Sequence, residues 1–274
     1  MKKIDKDFQK LFNTSYDKSM DKYANRKLVI PLSEFEDDIY MNLESVHGLF
    51  IGGTTGSGKS IFLDNIIVRL MEKNTPDEIK FVFLDPKRME LGEYNGIAYL
   101  DLMKGRKSLS NHHKGFDLLI DLLMMIGERA GILKENQEKN IKVHNKNSLF
   151  KWPHIFIIID ESADIMQMDG AESVISKILD YGKVVGVHVI LATNAYLKRF
   201  YDTKFIKHFK YRMSFDMASH EQAEYIEIDG ADLLRGAGNA LIKCPNDKLY
   251  KFQARMVTDE EINDAIRKNG KKSR

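Results

Sequence analysis

The chain has 274 residues, 43% of them hydrophobic, enough for one large domain or two small ones with an ordinary core. Lys and Arg number 42 against 40 Asp and Glu, a net charge of +2, so bulk charge makes no case for nucleic acid and any basic surface must come from local clustering. A single cysteine, Cys244, excludes an internal disulfide and a cysteine-based zinc cluster.

Residues 1–25 are polar and rich in Lys and Asp, without an apolar period, and read as a loosely held arm. The N-terminus lacks the apolar core of a signal peptide, and no apolar run approaches the roughly 18 to 20 residues that span a bilayer. The chain is therefore expected in the cytoplasm, at a membrane only if a partner recruits it there. Leu28-Val29-Ile30 and Ile39-Tyr40-Met41 predict short strands. Gly48-Leu49-Phe50-Ile51-Gly52 predicts a buried strand. The next eight residues, Gly53-Thr54-Thr55-Gly56-Ser57-Gly58-Lys59-Ser60, fit the pattern G-x-x-x-x-G-K-[ST]. Phe62, Leu63, Ile66, Ile67 and Leu70 then recur at helical spacing, so the pattern joins a strand to a helix.

Further strands are predicted over 80–84, 155–159, 188–192 and 211–215, with helices from 115 to about 130 and over 171–181. Ala240-Leu241-Ile242 and Tyr250-Lys251-Phe252-Gln253-Ala254 are spaced for a hairpin, and 259–267 for a last helix. Strands alternating with helices predict an α/β fold with a mainly parallel sheet covered on both faces, and the G-x-x-x-x-G-K-[ST] pattern between a strand and a helix makes a P-loop NTPase (RecA-like) the expected kind. It is expected to occupy residues 26–268, ahead of a basic tail, 269–274.

The chemistry explains the residue types. Glycines at 53, 56 and 58 let the backbone turn its N–H groups onto phosphates, at the positive end of a helix. Gly53 to Ile61, including Thr54, Thr55 and Ser57, are the expected nucleotide-binding residues. Lys59 would reach the outer phosphates and Ser60 would ligate magnesium, which makes ATP and Mg2+ the expected cofactors. The apolar run Ile155 to Ile159 ends in Asp160-Glu161, a Walker B pattern. Asp160 would hold magnesium, directly or through water, and Glu161 would polarise the attacking water. The run Ile190-Leu191-Ala192-Thr193 ends in Asn194, which reads either as a sensor of the γ-phosphate or as a simple turn residue.

No Asn-Lys-x-Asp string follows the strands, which disfavours a GTPase, and the acid after Asp160 favours hydrolysis over a binding switch. From about Asp38 onward the chain resembles the motor domain of the FtsK/SpoIIIE family of DNA translocases. Its phosphate loop is similar to the family's own version. Leu84-Asp85-Pro86-Lys87-Arg88-Met89-Glu90-Leu91, with Tyr94 and Gly96-Ile97, is the most diagnostic string. Glu128-Arg129, Lys139-Asn140-Ile141 with His144-Asn145, Asp160 to Met166, Gly186 to Thr193, and Gly230 to Leu234 with Gly236 and Gly238 resemble further family segments. Lys87 and Arg88 lie where two cations would contact phosphate of nucleotide or DNA, and read equally as an exposed basic turn.

Two departures matter. Asn194-Ala195-Tyr196 stands where the family has Gln-Arg-Pro, and a family arginine falls near Gln222-Ala223. That leaves Arg212 and Arg235 as candidate arginine fingers, with Arg212 preferred because it lies on the matching strand.

The resemblance implies an ATPase that assembles as a homo-oligomeric, hexameric ring and moves double-stranded DNA. The family's N-terminal membrane helices and C-terminal winged-helix domain have no counterpart in this sequence, and stand-alone relatives of this kind serve plasmids, conjugative elements or phages. The alternative is an ATP-binding adaptor that recruits a relaxase, a replication protein or a transfer channel without translocating. Protein secretion is a third reading. Lys134 to Lys151 and the C-terminal tail are candidate DNA contacts, or solvated segments.

Overall fold

A computed structural model describes residues 26–33, 40–85, 91–100, 112–194 and 197–269. The predicted arm, the segment 86–90 with Lys87 and Arg88, Ala195-Tyr196 and residues 270–274 lie outside the described residues. In chain order the first elements are β1 (Val29–Pro31), β2 (Tyr40–Asn42), β3 (Gly48–Gly52), α1 (Lys59–Lys73) and β4 (Ile79–Leu84). Then come α2 (His112–Glu135), α3 (Ile141–Asn147), β5 (His154–Ile159), α4 (Ala163–Met166), α5 (Ala171–Val185) and β6 (Val187–Thr193). The chain continues with α6 (Leu197–Phe200), α7 (Thr203–His208), β7 (Tyr211–Ser214), α8 (His220–Tyr225), β8 (Asn239–Lys243), β9 (Leu249–Gln253) and α9 (Asp259–Asn269). No described helix is long and apolar enough to cross a membrane.

The strands follow one another in the sheet as β4-β5-β6-β3-β7-β8-β9. The sheet is mixed and mostly parallel, the α/β arrangement that the alternation of elements predicts. Two compact units interleave along the chain. Among the described residues, one holds those up to 46, 51–74 and 210–268; the other holds 47–50, those of 75–209, and Asn269.

In the second of these units the strands read as nearly continuous runs of β-branched and aromatic residues, the composition of strands buried on both faces. Strands β4 and β5 pair in parallel from Ile79 opposite His154 to Leu84 opposite Ile159, and β5 pairs with β6 from Ile155 opposite Val187 to Ile159 opposite Leu191. This register brings the C-terminal ends of the strands, where an open α/β sheet binds its ligand, to Asp85, Asp160 and Asn194. Phe81, Phe83, Phe156 and Tyr99 pack as one aromatic cluster.

Three histidines gather at the opposite ends of these strands. His188, 1% exposed, stacks on His47 and His154 with ring centroids 5.3 Å away in each case, and His154 Nδ1 lies 3.0 Å from His188 Nε2. Burial, then Lys183 and His154, hold His47 down from 6.5 to about 4. Its folded pKa lies below its unfolded value, so the folded chain binds fewer protons. The His47 contribution is therefore complete above pH 6.5 and drains away as pH falls from 6.5 toward 4. Relative to His47→Gln, the chain is expected to lose about 2 kcal/mol of stability between pH 7 and 4.5, allowing for solvent at a partly exposed ring. Urea titrations of both proteins at the two pH values check this; parallel losses would show that His47 is not responsible.

In the other unit β1 and β2 form a separate two-stranded antiparallel sheet, Ile30 opposite Met41. Helix α1 is tied to β1 by a side-chain amide and an amine: Asn65 Nδ2 donates to Pro31 O at 2.9 Å and Lys73 Nζ to Val29 O at 2.6 Å. The predicted hairpin is present as β8 and β9, Asn239 opposite Gln253, and β7 lies antiparallel to β8.

Candidate functional site

The phosphate loop is shaped by its own short-range bonds and braced from behind. Ser57 Oγ donates to Thr54 O at 2.7 Å, and Thr54 N donates to Asp216 O, just past β7, at 2.8 Å. Gly58 turns into α1 at φ 111°, and the first turn of α1 carries no acidic residue. The start of this helix therefore offers its positive end to an incoming anion with no competing carboxylate in the first turn. Lys59 is buried, and its Nζ donates to Gly53 O at 2.9 Å and Thr54 O at 2.7 Å, which folds the amine over the loop it serves. Thr55, Gly56 and Ile61 are exposed, while Ser60 is half-buried at the start of α1.

Sequence reasoning missed the brace. Gly238 N donates to Ser57 O at 2.9 Å, and a Cβ on Gly58 would stand 2.9 Å from Gly238 N and 3.2 Å from its Cα. The glycine-bearing segment after α8 thus lies backbone to backbone against the phosphate loop. Only the string Gly236-Ala237-Gly238 could have signalled it, since glycines are needed where two backbones approach this closely. Gly56, at φ 76°, has open space where a Cβ would go. Gly58→Ala combines a left-handed φ with a backbone clash, a strain of about 1–3 kcal/mol. ATP affinity is expected to fall about tenfold or more, and less in Gly56→Ala. Equal effects of the two substitutions on ATP titrations would remove the brace from the explanation.

The acidic strand end is equally constrained. Asp160 is 3% exposed; its N–H donates to Leu84 O at 3.0 Å, and its Oδ1 accepts from Glu161 N at 2.9 Å. Glu161 sits at φ 49°, an uncommon conformation for a residue with a side chain, of the kind that collects at functional sites. Asn194 Nδ2 donates to Glu161 Oε1 at 2.5 Å. The amide that the sequence offers as a phosphate sensor is thus engaged with the neighbouring acid. Beneath them Ser162 Oγ donates to Ala192 O at 3.0 Å and lies 2.7 Å from Tyr201 Oη. Burial pushes the Tyr201 phenol up to about 12, so it stays protonated as a donor at neutral pH. Ser162 and Tyr201 therefore lock the end of β5 to the end of β6, a role no spacing in the sequence announces.

Other strings turn out to be fasteners. Asp85 Oδ2, just past β4, accepts from Leu91 N at 3.1 Å. Arg129 Nη1 donates to Pro153 O at 3.1 Å and Val185 O at 2.9 Å, beside the Trp152 ring.

Arg212, the preferred arginine-finger candidate, is engaged within its own chain. Arg212 is 7% exposed, its Nε donates to Ile226 O at 3.0 Å, and its Nη2 to Glu227 Oε2 at 2.8 Å. Burial lowers its pKa, opposed by Glu227. It is held inside its own chain, because the strand that carries it turns the side chain toward the 226–227 corner. Arg235 has a side chain 74% exposed, bonded to Leu234 O and Asp232 O, with Asp216 Oδ1 at 3.7 Å.

The loop fits the phosphates of a nucleotide, with the positive end of α1 and the Lys59 amine alongside. Ser60 and Asp160 are hard oxygen donors of the sort magnesium takes, and magnesium is usually held by one or two carboxylates plus phosphate and water. Among the described residues no group of three or more His, Cys, Asp or Glu could cage a metal alone.

Fold and phosphate loop together define the P-loop NTPase fold class. The FtsK/SpoIIIE family model matches residues 17–152. The chain is 30% identical over 233 residues to the DNA translocase FtsK of Helicobacter pylori strain J99, covering 82% of this chain and 27% of that protein. It is 27% identical over 259 residues to the DNA translocase FtsK of Staphylococcus aureus strain Mu50, covering 89% of this chain and 32% of that one. The chain belongs to the FtsK/SpoIIIE family. It spans about a third or less of the length of these curated relatives.

Among solved structures it is similar in fold to the pCW3 conjugation coupling protein TcpA in its monomer form with ATPgS. The TM-score is 0.74 at 21% identity, covering 92% of this chain and 73% of that one. It is also similar in fold to the cytoplasmic domain of the type VII secretion ATPase EccC of Thermomonospora curvata. There the TM-score is 0.71 at 21% identity, covering 90% and 32%.

Proposed function

We propose that this chain is a cytoplasmic ATP-driven motor that assembles as a ring, a hexamer, and translocates double-stranded DNA in the service of a mobile element. What carries the reading is kinship with proteins named DNA translocase FtsK over most of the chain, joined to a phosphate loop already shaped for an anion.

In this reading Gly53 to Ile61 bind ATP, and Lys59 leaves its own loop carbonyls for the outer phosphates. Ser60 and Asp160 would hold a magnesium ion, which would supply charge neutralisation at the phosphates. Glu161 takes the proton of the attacking water, and Asn194 positions Glu161. Arg235 is the arginine offered to a neighbouring copy. DNA is gripped through its phosphates, with little preference for sequence.

The test is steady-state ATP hydrolysis with and without linear duplex DNA across salt concentrations, against a Lys59→Ala background. Stimulation by duplex that weakens with salt is expected. Turnover indifferent to every DNA, and raised only by a relaxase, replication or transfer-channel partner, would replace the motor with an adaptor.

A further inference from the structure

Between α3 and β5 the chain carries two large apolar side chains on its surface: Leu149 is 96% and Phe150 84% exposed. Exposed apolar residues are ordinary when scattered singly. These two are adjacent, at the tip of a short turn that is heavily fastened at its base. Asn145 and Trp152 bracket the turn with a reciprocal pair of bonds, Nδ2 to Trp152 O and Trp152 N to Oδ1, each 2.8 Å. Ser148 Oγ bonds both the N–H and the carbonyl of Phe150 at 3.1 Å. Below, the Trp152 ring stacks on His144 with centroids 3.7 Å apart and lies beside the Arg129 guanidinium. The tip is thus presented by a built support.

The surroundings are cationic. Lys146 and Lys151 flank the tip in sequence, Lys142 shares the exposed face of α3 with Lys146 at i,i+4 spacing, and Lys139 precedes the helix; all four are exposed. Lys139, Lys146 and Lys151 have no ion-pair partner among the described residues. The nearby acid Glu138 is occupied: its Oε2 lies 2.7 Å from His144 Nδ1 and its Oε1 accepts from Asn147 at 3.3 Å.

We propose that this tip is a membrane-contact site: Leu149 and Phe150 enter the interfacial layer of an anionic lipid bilayer while Lys142, Lys146 and Lys151 meet its headgroups. A convex pair of apolar side chains needs no shaped pocket, and the interface of a bilayer accepts aromatic and aliphatic groups at headgroup depth. Basic residues beside an insertion point are drawn to the negative surface of the leaflet. A protein partner is the poorer match, because two side chains expose far less than the roughly 800 Å2 per side of a stable protein interface. Duplex DNA would use the lysines but leave Leu149 and Phe150 against phosphate and water. The contact is independent of ATP chemistry and of the translocase reading. It gives a chain whose described helices cannot cross a bilayer a direct way to rest on one.

The molecule contains its own reporter, since Trp152 is the only tryptophan and stands two residues from Phe150. The experiment is flotation with vesicles of phosphatidylcholine alone or mixed seven to three with phosphatidylglycerol, read together with Trp152 emission. Binding to the anionic vesicles at least about tenfold above the neutral ones is expected. It should weaken with salt, and brominated lipid should quench the tryptophan.

Leu149→Ser/Phe150→Ser should lose the binding about tenfold or more, and Lys146→Glu/Lys151→Glu likewise, with unchanged melting temperatures. Leu249→Ser, at an exposed leucine on β9, should not. Failure of the wild-type chain to float with anionic vesicles overturns the proposal, as does equal flotation of the serine variant. A serine variant that keeps vesicle binding but loses duplex DNA would make the tip a nucleic-acid contact instead.

Discussion

Glu161→Gln is expected to lower ATP turnover about 10³-fold, within the range that removal of a general base produces, while ATP binding survives. The geometry makes the substitution unusually clean. Asn194 Nδ2 donates to Glu161 Oε1, and a glutamine in the same rotamer keeps an acceptor for that bond. The backbone at φ 49° and the Asp160 Oδ1 contact to the 161 N–H do not depend on the side-chain charge. What changes is basicity alone. Asn194→Ala should give a smaller loss, because the carboxylate remains but is no longer held in one orientation. Single-turnover hydrolysis alongside titration with a fluorescent ATP analogue separates the two steps. Full turnover in Glu161→Gln would mean that the water is activated elsewhere.

The chemistry-bearing strings were legible because each combines a residue requirement with an element boundary. The phosphate loop needs a strand before it and a helix after it, and β3 and α1 stand at both ends. The acidic pair closes a continuous apolar run, which is β5. The paired strands β8 and β9 were visible from their spacing. The contacts that position these groups were not legible, since they join residues far apart in sequence with unremarkable side chains. Ser162 meets Tyr201 39 residues away, and Gly238 supports Ser57 through backbone atoms only. The short helices α3, α4 and α6 to α8 were also missed, being four to seven residues long and too brief to show a period. The internal pairing of Arg212 was hidden for the same reason. Its place on a strand was readable, but the Glu227 carboxylate waiting 15 residues on was not.

That pairing bears on which arginine a ring could share between subunits. An arginine that serves a neighbour's γ-phosphate must extend from its own subunit, and Arg212 is committed to Ile226 O and Glu227. Arg212→Ala is therefore expected to cost about 2 kcal/mol of stability through an unpaired backbone carbonyl and a lost charge-assisted bond. Arg235→Ala should leave stability within about 0.5 kcal/mol, as exposed positions do, yet lower turnover about 10³-fold if a trans-acting arginine contributes as it does in related chemistry.

Mixing tests the trans arrangement. Arg235→Ala and Lys59→Ala subunits are each inactive in this reading, the first lacking the donated arginine and the second a competent phosphate loop. In a mixed ring, some Arg235→Ala subunits with an intact loop sit beside Lys59→Ala subunits that still carry Arg235. Part of the activity should return at those junctions. A mixture that stays inactive while the subunits demonstrably co-assemble would place Arg235 in service of its own subunit. Normal turnover in Arg235→Ala alone would remove it from catalysis.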